Sequence, residues 1–336
     1  MKVFEIQQGF GLSNLKMVER AEPRVGPGQV LLKMEAASLN YRDLMMVKGV
    51  YNPRQKLPLV PLSDGVGRVQ AVGEGTTRVA VGDRVAGIFA QKWLTGSLSA
   101  EGRASTLGGP LDGALAERLV LDEDGVVVVP DYLSAEEAAT LPCAAVTAWH
   151  ALLSHQPIQA GDTVLIQGTG GVSLFALQFA RMAGARAILV SRSEEKIERA
   201  QALGPLACID TRKEPRWVER VLELTGGAGV DRVVEVVGGK ELARSIEVVR
   251  FGGSVQVIGI LDGVSAELPL TSLLMKCVRL QGIFVGPREM FERMNRALAA
   301  QQIRPVVDRV FPFANAPEAF AHLEAARHVG KVVIRF

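Results

Sequence analysis

From about residue 160 the apolar positions alternate between two periods. Short β-branched runs at 163–166, 186–190, 207–209, 230–237, 254–258 and 279–285 read as buried strands, and the segments 171–183, 194–203, 214–224 and 240–250 repeat apolar residues at helical spacing. Strands alternating with helices predict an α/β fold with a parallel, doubly wound sheet, here of six strands. The first third has another rhythm. Strand-like segments at 30–36, 65–73, 81–87, 115–121 and 125–130 are punctuated by Gly and Pro, which predicts a small barrel or a partly open sheet. Ser134 and Glu137 then stand at capping-box spacing before a helical run that reaches residue 153. After Gly286 the pattern gives a helix over 288–302, a strand-like V-V-D-R-V-F, a second helix and a closing strand, V-V-I-R-F. Residues 90–113, rich in Gly, Ser, Ala and Thr, form one long stretch of low structure, and loops of that length are usually functional or mobile.

Composition narrows the class. The 336 residues favour two domains, and with 48% of them hydrophobic each half can bury a core. A net charge of +2 with interleaved signs gives no basic stripe and argues against nucleic acid as a partner. The first ten residues lack the apolar core of a signal peptide, and no apolar run is long enough to span a membrane. Cys143, Cys208 and Cys277 are odd in number and far apart, which speaks for a reducing, cytoplasmic setting.

The chemistry begins at the segment D-T-V-L-I-Q-G-T-G-G-V-S from Asp162 to Ser173. A glycine-rich turn between a strand and a helix is the context that a dinucleotide fingerprint requires. The stretch Gly168, Thr169, Gly170, Gly171 and Val172 is expected to cradle a pyrophosphate at the helix N-terminus. Ser173 stands where the third glycine of the fingerprint would be, a small increase in bulk at a packing position. The alternative is an ordinary βα turn. Cofactor choice is read at the end of the second strand, where an acid about 20 residues past the loop would bind the ribose of NAD. The strand ends instead in Ser191 and Arg192, with Lys196 following, a set suited to a 2′-phosphate. NADPH is the expected cofactor.

Six segments together resemble the medium-chain dehydrogenase/reductase superfamily, and within it the zinc-free, quinone oxidoreductase-like branch: A-A-S-L-N-Y-R-D from Ala36, V-G-E-G from Val72, V-G-D-R-V from Val81, L-P-C-A-A-V-T-A-W-H-A-L from Leu141, G-T-G-G-V-S from Gly168 and G-K-V-V-I from Gly330. The resemblance implies a GroES-like, β-rich substrate domain (residues 1–140 and 287–336), a Rossmann domain (141–286), a cleft between them and a homodimer paired through the strand R-L-Q-G-I-F-V. In zinc-bearing members, three ligand positions fall on Asn40, Ser63 and Cys143. One thiol with an amide and a hydroxyl is no zinc site, so no metal is expected.

Without a Lewis acid, plain alcohol oxidation is harder. Reduction of a quinone or an activated C=C of an enone or enoyl thioester needs only donors to the developing oxyanion. The resemblance makes Tyr51 a proton donor and turns Asn40 toward a small-molecule substrate. A loop tyrosine and a turn asparagine are the plainer alternatives. It also sets Thr147 beside the nicotinamide, assigns Gly259, Phe284 and Val285 to the carboxamide, and gives Lys331 a cofactor phosphate; a helix-interior threonine bonding its own backbone and a solvated surface lysine are the plainer alternatives. Asp43 reads as a structural acceptor, Asp64 as a partner for Arg42 or Arg84, and His150 as a structural donor. An NAD(P)-dependent alcohol dehydrogenase or carbonyl reductase, and a non-enzymatic NADPH-binding sensor or structural protein, are the competing functions.

Overall fold

The computed structural model describes the whole chain, Met1–Phe336. Seven strands come first: β1 (Lys2–Ile6), β2 (Leu15–Glu19), β3 (Gln29–Leu39), β4 (Asp64–Val72), β5 (Arg84–Gly87), β6 (Arg118–Asp122) and β7 (Val126–Val128). Helix α1 (Tyr41–Val47) follows β3, and α2 (Ala100–Arg103) and α3 (Ala135–Ala138) are single turns. A π turn, Leu141–Ala145, leads into α4 (Val146–Leu153). The alternation then runs β8 (Thr163–Gln167), α5 (Gly171–Met182), β9 (Arg186–Ser191), α6 (Glu194–Gln201), β10 (Ala207–Asp210), α7 (Trp217–Leu224), β11 (Val230–Glu235), α8 (Glu241–Val248), β12 (Val249–Val257), α9 (Leu270–Met275) and β13 (Arg279–Gly282). The chain closes with α10 (Arg288–Gln301), β14 (Val307–Pro312), α11 (Ala316–Glu324) and β15 (Lys331–Arg335). No helix is long and apolar enough to cross a membrane.

Two compact units result: Met1–Val146 with Gly286–Phe336, and Thr147–Val285. In the first, a seven-stranded sheet runs β14-β15-β3-β4-β5-β7, with β6 also paired to β3. Strand β3 is eleven residues long and serves three partners, β4, β6 and β15. Register shifts at Leu31/Leu32 and Met34/Ala36 bend it against β4, the usual effect of bulges on twist. Its inward residues Val30, Leu32, Met34, Ala37 and Leu39 join Phe4, Leu62, Leu115, Phe320 and Ile334 in one core. Residues 90–113 are tied into this unit: Trp93 and Leu107 are buried, Trp93 Nε1 donates to Gly96 O at 2.9 Å, and Gln91 Nε2 donates to Ile88 O at 2.7 Å. The stretch is irregular but anchored.

The second unit is a parallel six-stranded sheet in the order β10-β9-β8-β11-β12-β13. From β8 the chain winds outward through β9 and β10, then returns to β11 and winds the other way. The switch point lies between the carboxyl ends of β8 and β11, where ligands bind in such sheets. All five residues of β8 are buried, which is why its apolar run carries no alternation.

Several elements differ from the sequence pattern: β5 starts at Arg84 rather than 81, β6 at Arg118 rather than 115 and α7 at Trp217 rather than 214, and β11 ends at Glu235 rather than 237. The run from Ser134 keeps its capping box, with Glu137 N donating to Ser134 Oγ at 3.2 Å and Ser134 N to the Glu137 carboxylate at 2.9 Å. It breaks after Ala138, because Pro142 has no N–H for an α-helical ladder and the backbone re-forms as a π turn. Strand β12 starts at Val249, before the expected 254, because Val249 already pairs with Val230 ahead of a register shift. The sixth strand stops at Gly282 rather than 285. The β1–β2 hairpin lies outside the pattern read from the sequence.

Candidate active site

In the first unit, a polar cluster is buried where β3 passes into α1. Asp43, Ser63 and Asp64 are fully buried and Lys331 is nearly so. Asp43 sits three residues past Asn40, and its carboxylate accepts the Asn40 N–H at 2.8 Å and the Ser63 N–H at 3.2 Å. It is the structural acceptor that the sequence suggested. Ser63 Oγ donates to Asp64 at 2.7 Å, Cys143 N donates to the other Asp64 oxygen at 3.3 Å, and Asn40 Nδ2 donates to Ser63 Oγ at 3.3 Å. Leu62, just before Ser63, has φ 74°, a strained value for a branched residue that sets the turn delivering Ser63 and Asp64.

Each buried carboxylate has a cation. Arg42 lies 3.5 Å from Asp43, and the Lys331 ammonium lies 3.8 Å from Asp64. Burial nevertheless pushes the Asp43 carboxyl up to about 6, and raises that of Asp64 against the pull of Lys331. Burial also pushes the Cys143 thiol up, so it is no thiolate near neutrality. Arg42 has a second task. It donates to Leu107 O at 2.7 Å, to Thr106 Oγ1 at 3.3 Å and to Gly109 O, and its guanidinium lies 5.2 Å from the Tyr51 ring and 5.3 Å from the Phe89 ring. One side chain thus pins residues 106–109 and stacks the half-exposed Tyr51.

In the second unit, the glycine loop joins β8 to α5. Gly168 takes φ +71°, and Gly170 is the N-cap of the twelve-residue α5. A Cβ built on Gly170 would meet no atom within 4 Å, so the space over the helix N-terminus is open. Ser173 turns its hydroxyl back onto the strand, donating to Gln167 O at 2.7 Å, and is buried with no crowding of Gly168. Thr169 is buried, while Gly171 and Val172 are partly exposed. At the opposite side of the switch point, a Cβ on Gly259 would lie 2.0 Å from Val236 O, so only glycine permits this approach of the β11 and β12 ends. Beneath the loop, the buried Glu235 accepts from Gln167 Nε2 at 2.7 Å, Val237 N at 2.8 Å, Gly238 N at 2.9 Å and Ser245 Oγ. Reading the sequence missed this network. Its signal was a polar residue closing each of two apolar strands, Gln167 on β8 and Glu235 on β11.

Other candidates sit as follows. Ser191 ends β9 and is mostly buried, its carbonyl accepting from Thr211 N at 2.9 Å; Arg192 is exposed and Lys196 half-buried. Thr211 is a neighbour of Ser191 that the sequence did not reveal, because it arrives on the adjacent strand end. Glu194 pairs with Lys213 at 2.6 Å. Thr147 is buried on α4, and His150 holds Val285 O through Nδ1 at 2.6 Å and faces His155 Nε2 at 3.0 Å. Burial lowers the His150 pKa, consistent with a structural donor. Val285 has φ 39° and Phe284 is half-buried beside it.

Lys331, expected at a cofactor phosphate, has its ammonium donating to Leu39 O at 2.7 Å and Asn40 Oδ1 at 2.5 Å, deep in the first unit. One pairing is corrected. Asp64 pairs with neither Arg42, which faces Asp43, nor Arg84, which binds Glu35 at 2.8 Å. Lysine was missed as the partner because it lies 267 positions along the chain, on the last strand.

Residues 26–131 match the family described as "Alcohol dehydrogenase GroES-like domain", and residues 171–300 match "Zinc-binding dehydrogenase". A zinc-type alcohol dehydrogenase-like protein of Schizosaccharomyces pombe is 42% identical over 333 residues, covering 97% of this chain and 96% of that protein. The chain belongs to the medium-chain dehydrogenase/reductase superfamily. It is an oxidoreductase by that membership, with an α/β Rossmann sheet and a GroES-like unit. A solved structure of an NAD-dependent alcohol dehydrogenase superposes with TM-score 0.90 at 31% identity, covering all of both chains. The 2-octenoyl-CoA carboxylase reductase CinF, solved with NADP and 2-octenoyl-CoA, superposes with TM-score 0.89 at 25% identity, covering 99% of this chain and 87% of that one.

One matched description implies zinc, and the donors here do not fit it. No three His, Cys, Asp or Glu side chains converge. Around Asp64 stand an amide, a hydroxyl, a protonated thiol and an ammonium, and the carboxylate is already neutralised by Lys331.

Proposed function

We propose that the chain is an NADPH-dependent, zinc-independent reductase of a quinone or of an activated C=C in an enone or enoyl thioester, working as a homodimer. The donor set around Asp64 carries this reading. Alcohol oxidation requires something to lower a hydroxyl pKa, and this cluster offers hydrogen-bond donors and a fixed ammonium instead. Such groups suit an oxyanion that develops on the substrate carbonyl.

When bound, NADPH would supply a hydride to the acceptor, at the β-carbon where this is an enone or enoyl thioester. Asn40 offers its amide N–H to the carbonyl oxygen, and the half-exposed Tyr51 gives a proton to the α-carbon, its ring held by Arg42. Gly168, Thr169, Gly170, Gly171 and Val172 hold the pyrophosphate at the α5 N-terminus, where the open face of Gly170 supports the reading. Ser191, Arg192 and Lys196 take the 2′-phosphate. Thr147, Gly259, Phe284 and Val285 contact the nicotinamide. The reductase bound to NADP and an enoyl-CoA supports both cofactor and substrate class.

Dimerisation through β13 is supported by its position at the sheet edge and by exposed Ile260, Leu261, Val264, Leu270, Leu274 and Met275 in the same unit. The alcohol dehydrogenase reading is favoured by the names of the similar proteins.

One experiment separates them. Loss of NADPH and NADH absorbance is followed against a quinone, an enone, an enoyl thioester and a simple ketone. Faster loss with NADPH on one of the first three is expected. Turnover confined to the ketone, or to alcohols in reverse, would refute the proposal. Tyr51→Phe is expected to lower kcat about 100-fold, the usual worth of a positioned proton donor.

A further inference from the structure

Asn40, Ser63 and Cys143, the positions that the family resemblance matches to metal ligands, gather around Asp64 in this chain. The cation at their centre is a side chain. Lys331 is 3% exposed, its ammonium bonds Leu39 O and Asn40 Oδ1, and it stands 3.8 Å from the Asp64 carboxylate. We propose that Lys331 is an internal cation standing in for the metal and acting as a positioning residue, whose task is to fix Asn40 as a hydrogen-bond donor to the substrate. This inference rests on the donor role assigned to Asn40 above.

The chemistry is directional. An asparagine amide can turn over and present either its oxygen or its NH₂ group. An ammonium only donates, so the atom facing Lys331 is the carbonyl oxygen, and the NH₂ group is forced to the other side. There Nδ2 is held by Ser63 Oγ at 3.3 Å, a long bond that a better acceptor can displace. A substrate oxygen gaining negative charge is that better acceptor. The bond from Lys331 polarises the amide and makes its N–H a stronger donor. Asp64 keeps the ammonium in place, and Asp43 fixes the Asn40 backbone from the opposite side. The device is satisfied without any metal: Asp43 with Arg42 and Asp64 with Lys331 sum to zero charge.

The full-length protein is tested with Lys331→Met and Asn40→Ala, made singly and together. NADPH affinity is read from quenching of protein fluorescence, and turnover from NADPH loss with cyclohexenone as the probe. Lys331→Met is expected to lower kcat/KM about 10- to 100-fold, the usual effect of losing a group that orients a ligand. NADPH affinity should stay within about twofold of the parent, because the ammonium faces Asn40. In the Asn40→Ala background, Lys331→Met should add almost nothing. A Lys331→Met variant that loses NADPH affinity tenfold would return the lysine to a cofactor phosphate. A full extra loss in the double variant would make it act without Asn40. Either result overturns the proposal.

If Lys331→Met does not fold, Asn40→Asp gives the ammonium an anionic acceptor. It should keep NADPH affinity and lose turnover, and parental turnover in that variant overturns the inference. A parent that reduces none of the probes would sink the proposed function. The coupling is then read from the unfolding free energies of the three variants, where purely additive effects overturn it.

Discussion

Gly170→Ala separates binding of the cofactor from stability of the fold. The backbone at Gly170 has φ −76° and ψ −178°, which alanine adopts without strain. The new Cβ meets nothing within 4 Å. Alanine is a poorer N-cap than glycine by about 0.5 kcal/mol, and the stiffer unfolded chain returns a similar amount, about 0.4–1 kcal/mol. The two nearly cancel, so the unfolding free energy should move by less than about 0.5 kcal/mol. Cofactor affinity should behave differently. The methyl group would occupy the space over the α5 N-terminus and push the pyrophosphate away from the backbone N–H groups. A loss of about 2–3 kcal/mol in binding corresponds to an increase of roughly 30- to 150-fold in the NADPH Kd. Fluorescence titration reads the Kd, and denaturant unfolding reads stability. Gly168→Ala is the contrasting variant: with φ +71° it forces a left-handed residue, about 1–2 kcal/mol, although its Cβ also has room. If Gly170→Ala binds NADPH within twofold of the parent, the pyrophosphate does not lie over Gly170 and the reading of this loop is wrong.

Ser191→Asp should move the ratio of NADPH to NADH efficiency toward NADH by at least about tenfold, or 1.4 kcal/mol, by placing a carboxylate against the 2′-phosphate; an unchanged ratio means the phosphate binds elsewhere. Glu235→Ala strands the donors of Gln167, Ser245, Val237 and Gly238 in a buried site, and should destabilise the protein by about 2–4 kcal/mol in denaturant unfolding, while an effect below 1 kcal/mol would show that water replaces the carboxylate. Asp43 titrates at about 6 in the folded chain against an ordinary 3.8, so the native state holds this proton where the unfolded chain has released it. That contribution to stability is present at low pH and falls as pH rises from about 4 through about 6; Asp43→Asn should flatten this part of a stability profile, and an unaltered profile would assign the dependence to another group.

The Rossmann-type sheet was legible because its cues are local. A buried run such as 163–166 and a helix-period run such as 171–183 each carry their own signal, and their alternation implies a parallel, doubly wound sheet. Ser134 and Glu137 likewise announced a cap at a spacing of three. Trouble came where one residue overrides the period. Pro142 converts a uniform apolar run into two helical pieces and a π turn. The candidate-site cluster was legible residue by residue but not as a set of contacts. Asn40, Asp43 and Asp64 stand within one short region, whereas the cation that organises them comes from Lys331, and nothing in the spacing of G-K-V-V-I says that its side chain turns inward. The Gln167–Glu235–Ser245 network failed to show for the same reason: the three residues meet only because β8 and β11 are neighbours at the point where the winding reverses.

The place of β15 inside its sheet, one strand from the edge, has a consequence for how the polypeptide emerges from the ribosome. Residues 147–285 are continuous and can complete their own core while the tail is still being made. The first unit cannot. β15 lies between β14 and β3 and supplies Lys331, so until β15 is translated β3 has an open edge at Ala36–Leu39 and Asp64 faces no ammonium. During that interval the second unit can be complete while the first is not, and exposed strand edges of this kind are what chaperones cover.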